Sequence, residues 1–372
     1  MANKQISYAL KPQKKLDTSF LLVVVMLLCY GLIMVFSASS ASAHYQFGDA
    51  YYFIKRQFAW AIIGFIIMLA VSRVSYKTIY KYALHLMVVS IILLILVPLI
   101  GIEVKGAKRW IGFGSFSFQP SEVAKFAIIV FLARSLCVNN EALKTFVKGF
   151  LPYVCIIGLL ALLVFIEPHL SGAMVIALTG FIVLWAAGAK LAHFVAIGIP
   201  AVAVVVVAMI SAPYRMARVT SFFDPFKDVT GDGFQIVQSL YAIGSGGFFG
   251  LGLGQSRQKY LYLPEAQNDF IFSVICEELG FIGAALVVVL FALLLWKGIK
   301  IAVSAPDRFS KLLVIGIIGL IAVQVVINIA VVTSSIPATG MPLPFFSYGG
   351  TSLVFILAEM GVILSISREC EK

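Results

Sequence analysis

Apolar runs separated by short polar stretches recur along the whole of this 372-residue chain. A hydrocarbon core about 30 Å thick takes about 20 apolar residues of helix, because each backbone N–H and C=O must bond within the segment. Runs of that kind predict helices at 19–39, 58–71, 83–100, 121–138, 150–166, 170–188, 191–210, 270–295, 311–332 and 346–366. The pattern therefore specifies an all-α polytopic membrane protein with about ten transmembrane helices. One further segment differs. Over 234–243, apolar residues at Phe234, Ile236, Val237, Leu240 and Tyr241 predict an amphipathic helix lying on the membrane surface.

Composition agrees with the pattern: 61% of residues are hydrophobic and 12% charged, about half the charged share of an ordinary soluble domain. Orientation follows from lysine and arginine placement. Lys4, Lys11, Lys14 and Lys15 precede the first helix. Alternation then puts Arg73, Lys77, Lys81, Lys144, Lys148, Lys190, Lys297, Lys300, Arg308 and Arg368 on the same, cytoplasmic side. Both termini are expected there. The net charge of +11 thus reflects topology and anionic lipid, and argues against a nucleic-acid partner. Lys14–Lys15, the first apolar run and Ala38–Ala43 imitate a secretory signal. The run is longer than a signal core, however, and its removal would break the charge alternation, so it is expected to stay. Cys29, Cys137, Cys155, Cys276 and Cys370 fall in helices or on the cytoplasmic side without CxxC spacing, which suits packing rather than disulfides or metal. No repeat or soluble insert interrupts the chain, so 1–372 reads as one integral membrane domain with a long extracytoplasmic loop, about 211–269, between the seventh and eighth helices.

The candidate chemistry lies where polar residues interrupt this pattern on the outer side. Lys108 and Arg109 precede Gln119-Pro120-Ser121-Glu122, with Lys125 three residues on, so Glu122 and Lys125 share a helix face. That arrangement is either a local ion pair at a helix entrance or a cationic shelf for an anionic headgroup. The long loop carries Arg215 and Arg218, then the glycine-rich run 244–254. The glycines suit a tight re-entrant turn better than a phosphate cradle, since no Walker spacing or strand-to-helix setting accompanies them. The loop ends at Asp269 at the start of the next helix, where an aspartate is either a cap or a carboxylate with a pKa raised into a useful range. Glu277, Glu278, Glu167 and Glu359 stand in or beside apolar sequence, where pairing and substrate contact are equally open. Residues 335–352, with Pro337, Pro342 and Pro344, demand irregular backbone against protein or a water-filled cavity.

These residues, taken in order, resemble the SEDS family of shape, elongation, division and sporulation proteins, whose members include FtsW, RodA and SpoVE. The segments GAKRWI, QPSE with its lysine, PYRMARVTSFFDP, GDGFQIVQS, AIGSGG, LPEAQNDFIF, EELGFIG and PLPFFSYGG carry the resemblance from the first helix to the last. The wording around 213–225 and 262–266 is nearer the division and sporulation branch. The resemblance implies a peptidoglycan glycosyltransferase. Such an enzyme polymerises lipid II, an undecaprenyl-pyrophosphate-linked disaccharide peptide, into glycan strands on the outer face of the bacterial cytoplasmic membrane. A class B penicillin-binding transpeptidase is the implied partner. The family's catalytic aspartate falls on Asp269, and its QPSE glutamate and lysine on Glu122 and Lys125. Two departures stand out. Glu167-Pro168-His169-Leu170 replaces the family's Gln-Pro-Asp-Leu, and Gln267-Asn268 replaces His-Thr before the aspartate.

Sugar transfer to a hydroxyl needs a base at the acceptor and stabilisation of the departing pyrophosphate. Asp269 is the expected base. Lys108, Arg109, Glu122, Lys125, Arg215 and Arg218 are the expected substrate-binding residues. The chemistry is compatible with a divalent cation, Mg or Mn, shared between pyrophosphate and acidic residues, although no run has dedicated metal-ligand spacing. Two alternatives belong to other classes. A lipid II flippase would need a polar pathway reachable from both faces, whereas the polar residues here gather on one. A non-catalytic scaffold for a transpeptidase would keep its function when Asp269 is replaced.

Overall fold

The computed structural model describes residues 16–370 apart from 105, 114–115, 139–140, 211–215, 217–219, 228–230 and 232. The chain is predominantly helical. Helices α1 (Thr18–Phe47), α2 (Tyr52–Val71) and α3 (Tyr76–Ile100) lead into three short strands, β1 (Ile102–Val104), β2 (Ala107–Phe113) and β3 (Phe116–Phe118). Then come α4 (Pro120–Val138), α5 (Leu151–Ile166), α6 (Leu170–Ala186) and α7 (Leu191–Ile210). The amphipathic α8 (Phe234–Gly246) follows, and α9 (Ile271–Val303), α10 (Arg308–Val332) and α11 (Gly350–Ser367) complete the fold. Among the described residues, seven helical stretches are long and apolar enough to cross a membrane: α1, α2, α3, the stretch Phe146–Ile166 containing α5, α9, α10 and α11. Helices α6 and α7 include shorter apolar stretches, and α4 carries Glu122, Lys125 and Arg134.

Packing divides the helices into a centre and a rim. Helices α4, α10 and α11 bury most of their length, with Ile128, Ile129, Leu313, Ile317, Leu357 and Met360 inaccessible or nearly so. On α2, α3 and α9, large apolar side chains such as Ile66, Leu84, Ile92, Phe281 and Val289 face outward, as lipid contact requires. Local chemistry fixes the ends. Asp17 caps α1 by accepting from the Phe20 N–H at 3.0 Å, and Asp307 and Ser310 form a capping box on α10.

Three features depart from the sequence pattern. Residues 102–118 form an antiparallel sheet in the order β1-β2-β3, so the protein is not purely all-α. The amphipathic helix α8 turns its buried face, Ile236, Val237, Ser239 and Ala242, toward the protein against α9 and α10. A purely lipid-bound face would strand the Ser239 hydroxyl. Here it donates to Val332 O at 2.7 Å and lies 2.7 Å from Ser273 Oγ. Helix α9 is broken at Gly280 (φ 64°, ψ −161°).

The glycine-rich run and that break form one unit. The N–H groups of Leu251 and Gly252 donate to the carbonyls of Glu277 and Glu278, at 2.9 Å each, and the Phe281 N–H donates to Gly247 O at 3.0 Å. A Cβ on Gly246, Gly250 or Gly280 would collide with facing backbone. The glycines therefore serve a tight turn in which main chain meets main chain.

Candidate active site

Asp269 lies one residue before the N-cap of α9, which is Phe270 and makes no side-chain cap bond. Asp269 itself is half-buried. The backbone that carries it is held at three successive carbonyls. The Tyr348 N–H donates to Gln267 O at 2.9 Å, Ser347 Oγ to Asn268 O at 2.6 Å, and Asn328 Nδ2 to Asp269 O at 2.8 Å. Asn328 Nδ2 also reaches Met341 O at 2.7 Å, and the Leu343 N–H donates to Ser347 Oγ at 2.7 Å. The proline-rich segment 335–349 and Asn328 of α10 together hold the turn that carries Asp269. A methyl group on the exposed Gly340 would come within 3.1 Å of Asp269 Oδ2, so the absence of a side chain there leaves the carboxylate its opening.

Gln57, fully buried in the first turns of α2, brackets Tyr348. Its Nε2 donates to Ser347 O at 3.3 Å, and its Oε1 accepts from the Gly349 N–H at 3.2 Å. Sequence reasoning missed Gln57, Asn328 and Ser347 as site residues. The available signal was an amide inside or beside an apolar run, which needs a partner in a low-dielectric setting. Gln324 of α10 is a further case, lining a small cavity with Glu122, Pro342, Ser347 and Ser352.

Glu122 and Lys125 form an ion pair at 2.7 Å, with side chains 11% and 7% exposed. Glu359 of α11 is buried within electrostatic reach of both. Glu122 shares that small cavity with Ser347, whose hydroxyl donates to Asn268 O. Lys108 is exposed on β2, with Glu103 as its cross-strand neighbour. Arg109 turns away toward the α5–α6 corner, donating through Nε to Glu167 O at 3.3 Å and through its terminal nitrogen to Pro168 O. Arg215 and Arg218 lie outside the described residues.

At the same corner the Glu167 carboxylate is buried and neither oxygen has a hydrogen-bond partner. Burial pushes its pKa up to about 8, against the opposing pull of Arg109. Burial, together with the charges of Arg109 and Lys125, pushes the His169 imidazole down to about 3, so it is neutral where it packs on Gly172. Glu277 and Glu278 have structural roles. Glu277 accepts from Ser256 Oγ at 2.5 Å and the Arg257 N–H at 2.8 Å. Glu278 pairs with Lys259 at 2.9 Å and accepts from Ser37 Oγ at 2.5 Å. Among the described residues no three His, Cys, Asp or Glu side chains converge.

A helical bundle with a lipid-facing rim, broken by a half-buried acid on a clamped irregular segment, defines a multi-pass membrane protein with a polar site at one end of the bundle. Residues 17–372 match the family model for the FtsW, RodA and SpoVE cell cycle proteins, and the chain belongs to that family. It is 48% identical over 359 residues to stage V sporulation protein E of Bacillus subtilis (strain 168), covering 95% of this chain and 98% of the relative. It is 42% identical to a probable peptidoglycan glycosyltransferase FtsW of Geobacter sp. (strain M18), covering 94% and 96%. Among solved structures, a chain from work on coordinated polymerization and crosslinking by a peptidoglycan synthase complex matches with TM-score 0.79 and 29% identity, covering 95% and 98%. The rod-shape-determining protein RodA of Thermus thermophilus matches with TM-score 0.72 and 26% identity, covering 96% and 98%. The chain is accordingly an integral protein of the bacterial cytoplasmic membrane.

Proposed function

We propose that this chain polymerises lipid II into glycan strands on the outer face of the cytoplasmic membrane, with Asp269 as the general base. It is a peptidoglycan glycosyltransferase, as several of its relatives are named. In the reaction, the 4-hydroxyl of the acceptor sugar attacks the anomeric carbon of the donor. Its proton passes to Asp269, and the bond to the undecaprenyl pyrophosphate breaks. The observation that carries the assignment is the triple clamp on the carbonyls of residues 267–269. It fixes the backbone of a half-buried carboxylate that lies beside the side-chain-free Gly340.

In this reading α1–α7 and α9–α11 all cross the bilayer, both termini are cytoplasmic, and 1–372 acts as one unit with 211–269 outside. Lys108, Arg215 and Arg218 meet the phosphates. The Glu122–Lys125 pair lines the inner wall of the substrate cavity, and Arg109 braces that wall at the α5–α6 corner. The partner is a class B penicillin-binding transpeptidase, a reading supported by the synthase-complex neighbour.

The test is polymerisation of purified lipid II by the full chain with its transpeptidase, comparing wild type with Asp269→Asn. A general base contributes about 10²- to 10⁴-fold, so the variant should make little or no polymer while remaining folded and partner-bound. Equal polymer from both would remove Asp269 from the mechanism.

A further inference from the structure

We propose that Arg56 is a phosphate-binding residue at the mouth of the Asp269 site, held ready by Tyr52 and Tyr348. This deepens the polymerase reading and rests on it for the identity of the substrate.

Arg56 stands in the first turns of α2 and is exposed. Its guanidinium carbon lies 4.3 Å from the centroid of the Tyr52 ring, and its charge is within electrostatic reach of the Tyr348 phenol. The Tyr348 ring is fixed in turn, edge-on to Phe53 with centroids 4.9 Å apart. The neighbouring cation behaves differently: Lys55 is matched by Asp49 at 2.8 Å. Among the described residues no ion pair neutralises Arg56. A guanidinium offers five donors in a planar fork. With one face on the Tyr52 ring and the Tyr348 phenol nearby, an edge is left for an oxyanion, with less side-chain entropy to lose than a free arginine has.

Two other observations make this position useful. First, Arg56 belongs to the framework that holds Asp269. The Tyr348 N–H donates to Gln267 O, and Gln57, the next residue on α2, brackets Tyr348 on both sides. A phosphate on Arg56 and the Asp269 carboxylate are thereby registered through Gln57 and the segment 347–349. Second, Lys125 and Arg109 are engaged elsewhere, the one with Glu122 and the other with the carbonyls of Glu167 and Pro168. A departing pyrophosphate needs fixed positive charge, and Arg56 supplies it without drawing on either.

The ligand chemistry is a phosphate ester, available from the polyprenyl diphosphate of the substrate or from an ordinary phospholipid headgroup, and the proposal assigns it to the former. The experiment uses the full chain in phosphatidylcholine nanodiscs with undecaprenyl pyrophosphate as probe, undecaprenol as the phosphate-free control, and native mass spectrometry as readout. Arg56→Ala should weaken undecaprenyl pyrophosphate binding about tenfold or more, the loss of one charge-assisted contact, and leave undecaprenol binding unchanged. Arg56→Lys should fall between, and Tyr348→Phe, which keeps the ring on Phe53, should lose part of the same affinity. In steady-state polymerisation, Arg56→Ala should raise KM for lipid II.

Undiminished pyrophosphate binding by Arg56→Ala would overturn the proposal, as would an equal loss of undecaprenol. A defect that appears only when the nanodiscs contain phosphatidylglycerol would assign Arg56 to bulk headgroups and also overturn it. Asp269→Asn in the polymerisation assay, beside Arg56→Ala in the binding assay, separates the two readings. If Asp269 is not the base, that variant polymerises, yet the Arg56 result on binding stands or falls by itself.

Discussion

Replacing Lys259 with methionine tests whether the segment between α8 and α9 is locked to the bundle by a buried charge. The Lys259 ammonium lies 2.9 Å from Glu278 Oε1, donates to Gly254 O at 2.7 Å and sits 3.3 Å from Ser37 Oγ; the two charged side chains are 2% and 0% exposed. Methionine keeps the length and apolar stem but deletes the charge. Glu278 would retain only Ser37 Oγ at 2.5 Å and the Ser256 N–H at 3.2 Å. Stranding one member of a buried pair costs about 3–5 kcal/mol, and the orphaned Gly254 carbonyl adds about 1 kcal/mol. The sum, about 5 kcal/mol, is a large part of the ~5–15 kcal/mol that holds a typical domain together. The assay is equilibrium unfolding of the full chain in mixed micelles, with wild type, Lys259→Met and the double variant Lys259→Met/Glu278→Leu. The double variant should recover most of the loss, since replacing both charges with apolar groups is often neutral. A single variant within about 1 kcal/mol of wild type, or a double no better than the single, would refute the claim that this pair locks the loop.

Gly340→Val should reduce lipid II polymerisation at least as severely as a mispositioned base would, about a hundredfold, because its side chain would press on Asp269 Oδ2; melting temperature should stay near wild type. Gly280→Ala should lower stability by about 2 kcal/mol or more, since φ is +64° and a Cβ would meet the backbone of Phe248 and Gly250; thermal unfolding reads it. Glu167 has its pKa raised from 4.5 to about 8 in the folded protein, so the folded state holds the extra proton. Its contribution to stability is present below pH 4.5 and lost as pH rises through about 8; Glu167→Gln should flatten that decline, and pH-dependent melting curves check it. Asn328→Leu should cost about 1–3 kcal/mol for each of the carbonyls of Asp269 and Met341 that it leaves bare, and should depress polymerisation as well.

The helical architecture was legible because lipid imposes one rule, internal satisfaction of every backbone polar group, and the rule writes itself as run length. The apolar runs over 19–39, 311–332 and 346–366 all correspond to observed helices, and α8 occupies the segment whose spacing was amphipathic. Ends were less visible. Helix α2 begins at Tyr52, not at residue 58, because Lys55, Arg56 and Gln57 interrupt hydrophobicity without interrupting the helix. The sheet at 102–118 escaped notice because strands of three to seven residues carry too little alternation to stand out. At the site, Asp269 and the Glu122–Lys125 pair were visible as charges in apolar sequence. The groups that hold Asp269 were not, since Asn328, Ser347 and Tyr348 act through carbonyls remote in sequence. No local spacing encodes a bond between residue 348 and residue 267.

The clamp on residues 267–269 also bears on the order in which the protein is built. Asp269 and its flanking residues emerge from the ribosome well before Asn328, Ser347 and Tyr348. Until α10 and the segment before α11 have been threaded into the bilayer, the three carbonyls lack their native donors. A nascent chain therefore carries the Asp269 carboxylate on backbone that lacks these three bonds, which form only when nearly the last of its sequence is in place. Chains shortened before residue 348 should insert into the membrane yet remain inert, which guards the cell against polymerisation by half-made enzyme.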